Sequence, residues 1–303
     1  MSNDLTIQRA EAVESPLVIN SILESGVRNA PEQEIVYADQ RRMTYRDLEE
    51  RVNRLAGALA ECGVKPGDTV AVMDWDTHRY LEAFFAIPMM GAVLHTVNVR
   101  LSPEQILYTL NHAEDDVILV NREFLPVLEE LKDRIETVKR YVLLDDEGGN
   151  LDSQLDIAGE YEALLQQASA EFNFPELDEN TRATTFYTTG TTGPPKGAMI
   201  THRNMIFQMR AGSECLEFLE TDNLLCFLPL CHVLERIVSV EAPIANGCIV
   251  NFAESPETVF DNLQEVSPDS FSGVPRTWEK IYSRLLILQT ETGPTGGQAV
   301  ARP

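Results

Sequence analysis

The sequence is poor in basic residues, and lysine is the scarcer of the two types. Its 303 residues carry 24 lysines and arginines against 48 aspartates and glutamates, which gives a net charge of −24, and only five of the 24 are lysines. A protein that binds nucleic acid needs a basic face to displace counterions, so we expect no nucleic-acid partner. Strong attraction to anionic lipid is disfavoured for the same reason. The acidic excess is explained either by solubility or by adaptation to high salt.

Long apolar runs are also lacking. The N-terminal residues MSNDLTIQRA are polar and do not resemble a secretory signal. The longest apolar run, AFFAIPMMGAVL over 83–94, contains Pro88 and Gly91 and is shorter than the roughly 20 residues that span a bilayer. This run predicts a buried helix followed by a strand, in a chain with no transmembrane segment. We expect a cytoplasmic protein, and contact with a membrane surface is left open.

Cysteine pairs with the spacing of disulfide or zinc motifs are absent. The five cysteines include no C-x-x-C pair, which is typical of reduced thiols in a cytoplasmic protein. Cys226, Cys231 and His232 come closest to a metal site. Because no second pair of ligands accompanies them, a zinc site is disfavoured.

Amphipathic helices alternate with short apolar strands along most of the chain. Thr44, followed three residues later by Asp47, predicts a helix N-cap, and Ser102-Pro103 predicts another. Ser255-Pro256 repeats the second pattern. Strands separated by helices predict an α/β fold, in which layered, largely parallel sheets are covered by helices on both faces.

Two stretches interrupt this alternation. The acidic segment DDEGGNLDSQLDIAGE predicts either a long surface loop or a subdomain boundary, which we place near 145–180. The segment ILQTETGPTGGQAVARP loses its periodicity and gains glycine and proline. We therefore expect one partial domain over 1–286 and an irregular tail over 287–303.

One of the five lysines lies in the ten-residue stretch TTGTTGPPKG, over 188–197, which follows the β-type run ATTFYT. Glycines let backbone N–H groups approach an anionic ligand, threonine hydroxyls bind phosphate or Mg²⁺, and the lysine adds a positive charge. This composition predicts a phosphate-holding loop, exposed between two strands over 187–197. A turn without a ligand is the alternative. A Walker A loop is excluded because Gly197, and not serine or threonine, follows Lys196.

The string YTTGTTGPPKG resembles the signature of the AMP-forming adenylating enzymes, the superfamily of acyl-CoA synthetases, firefly-type luciferases and peptide-synthetase adenylation domains. The segments LEAFFAIPMMGAVLHTVNVRLSPEQILYTLNHAEDDVILV, CFLPLCHVLERI and SGVPRTWEKIY are similar to the fatty-acyl and long-chain branch. The similar segments cover most of 37–282. The resemblance implies ATP-dependent activation of a fatty or other carboxylic acid to an acyl-adenylate and then to acyl-CoA. It also implies Mg²⁺, with coenzyme A as co-substrate, and a homodimer is left open.

The resemblance also implies which residues act. Thr188 aligns with the hydroxyl that ligates Mg²⁺, and Lys196 is a catalytic candidate close to the phosphates. His232, in PLCHVLER, is the second catalytic candidate, with a histidine satisfied at a helix start as the alternative. The segment that would wrap the β- and γ-phosphates consists of Thr189, Gly190, Thr191, Thr192 and Gly193.

Other polar and aromatic residues near these segments have structural interpretations. Glu235 and Arg236 are predicted to form a local ion pair if they have no role in the site. His95 is predicted to be structural or interfacial, and His202 to be a structural residue at a helix start. The two tryptophans, Trp75 and Trp278, are assigned to packing.

The sequence departs from the family pattern after this region. The strings Y-G-x-T-E and T-G-D are absent, and Thr290-Glu291 lacks the preceding Tyr-Gly. The small C-terminal domain with its catalytic lysine is absent too. We therefore expect a partial, N-terminal portion of such a ligase, inactive by itself. A non-catalytic nucleotide-binding or interaction module derived from the family is the alternative.

Overall fold

The computed structural model describes residues 15–38, 40–146, 148, 152–188 and 193–291. The helices of this part of the chain are α1 (Asn20–Asn29), α2 (Tyr45–Glu61), α3 (His78–Met89), α4 (Pro103–Ala113), α5 (Leu125–Leu131), α6 (Tyr161–Gln167), α7 (His202–Cys215), α8 (Val233–Arg236), α9 (Ala242–Asn246), α10 (Val259–Val266) and α11 (Pro275–Glu291). The strands are β1 (Glu34–Tyr37), β2 (Arg41–Thr44), β3 (Thr69–Met73), β4 (Val93–Thr96), β5 (Asp115–Asn121), β6 (Arg140–Leu144), β7 (Ile157–Glu160), β8 (Arg182–Thr188), β9 (Lys196–Thr201), β10 (Asn223–Cys226) and β11 (Ile249–Phe252).

The strands form two sheets, both largely parallel. The larger sheet has the order β7-β6-β5-β3-β4-β8-β9, and only its β8–β9 pair is antiparallel. The smaller has the order β10-β11-β1-β2, and only its β1–β2 pair is antiparallel. Both β7 and β8 belong to the larger sheet, which therefore continues across the segment near 145–180. Within this segment, β7 and α6 are regular elements, and the subdomain boundary near 145–180 stays a prediction.

Helices cover both faces of the larger sheet. Along β3, Val70 and Val72 pack into one apolar cluster with α2 and α3, whereas Ala71 and Met73 pack into a second cluster with α4 and α5. Alternation with a period of two places successive side chains on opposite faces of a strand. The predicted α/β layering is confirmed. Helix α3 is buried along its whole length, as the run 83–94 predicted, and leads into β4.

The helix starts follow the capping patterns in two of three cases. Thr44 and Asp47 form a reciprocal capping box at α2, and Ser102 caps α4 with Pro103 as the first helical residue. The prediction for Ser255-Pro256 was wrong, because α10 begins only at Val259. Instead, the Ser255 hydroxyl accepts hydrogen bonds from the backbone amides of Glu257 and Thr258, which forms a turn before the helix.

The C-terminal helix extends further than the sequence predicted. Helix α11 continues to Glu291, so residues 287–291 are helical, whereas 292–303 lie outside the described residues. Within the described part, the exposed large apolar side chains all lie between Met199 and Leu288. Three of the most exposed on α11 are Trp278, Tyr282 and Leu285. None of the described helices has both the length and the apolar character needed to cross a membrane.

Candidate functional site

The candidate phosphate loop connects β8 to β9 at one end of the larger sheet. Thr188 pairs with Lys196 across the antiparallel ladder, and Tyr187 pairs with Gly197. These two pairs belong to the ladder. Strands β8 and β9 therefore each extend by two residues into the loop that the sequence predicted over 187–197. The structure brings Thr188 and Lys196 together at the base of the loop.

The loop itself is described only in part. Thr189, Gly190, Thr191 and Thr192 lie outside the described residues. Gly193 has a φ of +88°, in the left-handed region that glycine adopts without strain. The predicted need for glycine is thus seen directly at this position.

The two polar side chains at the loop base are accessible. Thr188 is exposed, and its hydroxyl donates a hydrogen bond of 3.4 Å to the backbone carbonyl of Lys196. Lys196 is also exposed, and its ammonium makes no ion pair with any described residue. A hydroxyl oxygen keeps its lone pairs when it donates, so Thr188 can still accept a cation or a donor. The geometry suits an anionic ligand above the loop base.

His232 lies apart from this pair, as the N-cap residue of α8 in the loop after β10. Its side chain is exposed and forms no capping hydrogen bond. Partial desolvation and the positive charges of Arg100 and Arg236 lower the pKa of His232. Within the described part of the chain, no hydrogen bond or ion pair joins His232 to Thr188 or Lys196. The helix-start alternative is therefore compatible with its position.

The predicted ion pair between Glu235 and Arg236 was wrong. Glu235 accepts hydrogen bonds from the Phe227 amide at 2.9 Å and from the Ser239 hydroxyl at 2.8 Å. Successive helical side chains point in directions about 100° apart, since a turn holds 3.6 residues, so the neighbouring arginine faces elsewhere. Burial raises the pKa of Glu235 to about 7.

Arg236 makes the main contacts that sequence reasoning missed. Its guanidinium donates to the hydroxyls of Thr96, the last residue of β4, and Thr184, the third residue of β8. It also donates to the Leu230 carbonyl at 3.0 Å and the Cys231 carbonyl at 3.3 Å. The same group lies 4.9 Å from the Phe186 ring centroid and 5.2 Å from that of Phe84. Burial lowers its pKa. Arg236 thereby fixes the segment that contains His232 against the strand that leads to the phosphate loop.

A cleft of about 600 Å³ opens at the carboxyl ends of strands from both sheets. Its lining includes residues at or just after the ends of β1, β3, β4, β5, β6, β10 and β11, namely Tyr37, Asp76, Arg100, Asn121, Asp145, Leu230 and Glu254. Because β8 is parallel to β4, Thr188 lies at this same edge of the larger sheet. Ligands of open α/β sheets bind at this edge. The cleft could have been located from the sequence, because it lies where the predicted parallel strands end.

Two residues of the cleft connect its walls. The Asp76 carboxylate, after β3, accepts a 2.7 Å hydrogen bond from the Leu230 amide in the loop after β10. Burial raises the pKa of Asp76 to about 8. Trp75, which was assigned to packing, is half-buried in the cleft, and its indole N–H donates to Glu123 at 2.9 Å.

The two histidines predicted to be structural have no part in this cleft. His95 is buried in β4 with its Nδ1 atom 2.7 Å from Asp115 Oδ2. His202 is the buried first residue of α7, and its Nδ1 atom accepts a hydrogen bond from the Ile19 amide at 3.3 Å. Burial lowers the pKa of His202 to about 4, so this imidazole is neutral and able to accept.

The sheet order, the connection between β8 and β9 and the cleft at the carboxyl ends of the strands define an α/β fold of two largely parallel sheets. A family model described as AMP-binding enzyme matches residues 23–299. The chain belongs to the AMP-binding enzyme family, and the resemblance drawn from the loop sequence is confirmed.

The chain is also similar to individual acid–CoA ligases. The long-chain-fatty-acid–CoA ligase of Thermus thermophilus is 39% identical over 243 residues, which are 78% of this chain and 43% of that protein. The medium-chain-fatty-acid–CoA ligase of Ectopseudomonas oleovorans is 34% identical over 229 residues, 74% of this chain and 42% of that protein. The solved anthranilate CoA ligase AuaEII, in complex with anthranoyl-AMP, has a TM-score of 0.76 at 21% identity, over 83% of this chain and 48% of that chain. The match covers less than half the length of each of these relatives.

Proposed function

We propose that this chain is the nucleotide-binding front portion of a cytoplasmic, ATP-dependent acid–thiol ligase that acts on fatty or other carboxylic acids. The observation that carries the proposal is the β8–β9 base, which sets Thr188 opposite Lys196 in a chain of the AMP-binding enzyme family. Relatives with 34% and 39% identity are named as medium- and long-chain-fatty-acid–CoA ligases, which supports a fatty acid as substrate.

The reaction that such a site serves has two displacements. A carboxylate oxygen of the acid attacks the α-phosphorus of ATP, and the bond from that phosphorus to pyrophosphate breaks. The thiol sulfur of coenzyme A then attacks the acyl carbon, and AMP leaves with the bonding electrons. Neither step needs a covalent bond to the protein. The protein therefore acts through positioning and through neutralisation of phosphate charge.

We assign these tasks to the residues at the loop base. The exposed Lys196 ammonium would bind oxygens of the β- and γ-phosphates through charge-assisted hydrogen bonds. The Thr188 hydroxyl would hold Mg²⁺ together with phosphate oxygens and water, since this ion favours a shell of six oxygens. Among the described residues, no group of three or more histidine, cysteine or acidic side chains is placed to hold a metal ion. Bound Mg²⁺ would neutralise phosphate charge.

We assign His232 to the acyl-binding part of the site, as the resemblance implies; it follows Cys231, which lines the cleft. Its lowered pKa leaves the imidazole neutral at pH 7, so it would contribute shape and a hydrogen bond and not a positive charge. Arg236, one turn further along, keeps this segment beside β8 through its bond to Thr184.

The alternative is a nucleotide-binding module without chemistry. The purified chain should be titrated with MgATP by calorimetry, then assayed for acyl-CoA with acids of several lengths. We expect weak MgATP binding and no acyl-CoA from these 303 residues by themselves, since they match less than half the length of the ligases to which they are similar. No binding of MgATP would contradict the proposed site. Turnover near one per second, a usual enzyme rate, would contradict the expected inactivity.

A further inference from the structure

An aromatic and imidazole cluster lies beneath the base of the phosphate loop. Tyr187, the residue before Thr188, is buried, and its ring centroid is 5.1 Å from that of His95 and 5.7 Å from that of His112. The Tyr187 hydroxyl is 2.8 Å from Nδ1 of His112, in the last turn of α4. The side chain is thus held on one side by the buried His95–Asp115 pair and on the other by an exposed histidine.

Tyr187 contacts both strands at the loop base. It lies in β8, and its cross-strand partner in β9 is Gly197. A Cβ atom on Gly197 would lie 3.4 Å from two Tyr187 ring carbons and 3.5 Å from its hydroxyl oxygen. The ring therefore lies against the backbone of the residue that follows Lys196. The Tyr187 side chain therefore contacts the β8–β9 pair next to the loop, at the end of β8 and at the start of β9.

The direction of the Tyr187–His112 hydrogen bond follows from the surroundings of the phenol. Burial, and then the negative charge of Asp115, raise the pKa of Tyr187, so the hydroxyl keeps its proton. The phenol can therefore donate this proton to Nδ1 of His112. The bond ties β8 to α4, which packs on the adjacent face of the larger sheet.

We propose that Tyr187 is a positioning residue for the phosphate loop, held by His112, so that Thr188 and Lys196 stay in register at the two ends of the loop. Neighbouring side chains of a strand point to opposite faces, so buried Tyr187 acts on exposed Thr188 only through the backbone. The inference rests on the proposed function for the identity of the ligand. The connection from His112 to the loop base stands on the geometry by itself.

The test compares Tyr187→Phe, His112→Ala and their double variant with the original chain. Amide hydrogen exchange at Lys196, Gly197 and Ala198, without nucleotide, should accelerate about 2–10-fold in each single variant, the range for one net hydrogen bond. The double variant should exchange no faster than the faster single variant, because both remove the same bond. His112→Gln, which can accept the bond, should restore slow exchange.

Two controls make the outcome specific. Tyr108→Phe keeps the ring that lies 5.3 Å from His112 and should leave exchange at the loop base unchanged. The amide of Ile118 in β5 should exchange at its original rate in every variant, which separates a local effect from a loss of global stability. MgATP should bind about 2–10-fold more weakly to the single variants.

Unchanged exchange in both single variants, or additive effects in the double variant, would overturn the positioning role. If the original chain failed to bind MgATP while the exchange pattern appeared as expected, the proposed function would fail and the coupling between His112 and the loop base would stand.

Discussion

Arg236 donates a 3.2 Å hydrogen bond from Nη1 to the hydroxyl oxygen of Thr184. This contact joins the segment after β10 to the strand that leads into the phosphate loop, and so connects the two sheets. Arg236 is 2% exposed. An arginine so deeply buried stabilises the fold only if its donors are satisfied, and here they bond to two hydroxyls and two carbonyls.

Arg236→Met should lower the free energy of unfolding by about 2–4 kcal/mol, because it leaves two buried hydroxyls and two carbonyls without their donor. Chemical denaturation measures the change. Arg46→Met is the matched control, since the Arg46–Glu32 ion pair has side chains that are 65% and 74% exposed. That variant should change stability by less than about 0.5 kcal/mol. Equal effects from the two substitutions would refute the role given to Arg236.

Lys196→Ala should weaken MgATP binding by about 1.5–3 kcal/mol, which corresponds to roughly 10–150-fold in Kd, through loss of charge-assisted hydrogen bonds. The melting temperature should barely change because the side chain is exposed. Calorimetric titration is the measurement. Lys280→Ala removes an equal charge from exposed α11 and should leave the Kd unaltered. A Kd that does not change in Lys196→Ala would remove this lysine from the site.

Stability should fall as pH rises from 6.5 to 8.5. Burial raises the pKa of Asp76 to about 8, and those of Glu235 and Glu241 to about 7. The pKa of each of these carboxyl groups is higher in the folded chain than in the unfolded chain, where it is near 4. The stabilisation that results is complete below the unfolded pKa and is lost as pH rises through the folded pKa. The pKa of His202 is lowered to about 4 in the folded chain. Its effect is to reduce the stability as pH falls below the unfolded pKa near 6.5, so it does not contribute between pH 6.5 and 8.5.

Asp76→Asn should flatten this pH dependence. The amide oxygen can still accept the hydrogen bond from the Leu230 amide, while the titration is removed. We expect the loss of unfolding free energy between pH 6.5 and 8.5 to shrink by on the order of 1–2 kcal/mol relative to the original chain. Denaturant titrations at the two pH values measure it. A variant with the same pH slope as the original chain would show that Asp76 does not carry the effect.

The exposed apolar face of α11 should promote self-association. Tyr282 and Leu285 are 64% and 55% exposed. Replacing both with glutamine should reduce the fraction of dimer and larger species in sedimentation runs, because it removes an exposed apolar patch. Stability should change by less than about 0.5 kcal/mol per site. Arg276→Gln, on the same helix, serves as the control. Association that persists in the double variant would assign it to another surface.

Local patterns in the sequence predicted local structure well. The capping pairs at Thr44 and Ser102 are each encoded within a few residues. The wrong prediction at Ser255-Pro256 also concerns a local pattern. A Ser-Pro pair can begin either a helix or a turn, and here the amides of Glu257 and Thr258 donate to the Ser255 hydroxyl and form a turn. The extension of α11 to Glu291 likewise went beyond what its weak periodicity indicated.

The sequence by itself indicated the family, because the string YTTGTTGPPKG that carries the resemblance is contiguous and can be recognised without the fold. It also determined the α/β layering through the alternation of strand and helix patterns. Only the tertiary structure decided that β1 lies beside β11, with Ile35 next to Val250, and that Arg236 reaches Thr96 and Thr184. It also decided that Tyr187 rests between His95 and His112. These contacts join residues far apart in the chain, and their partners are chosen by packing of the two sheets, which no local pattern specifies.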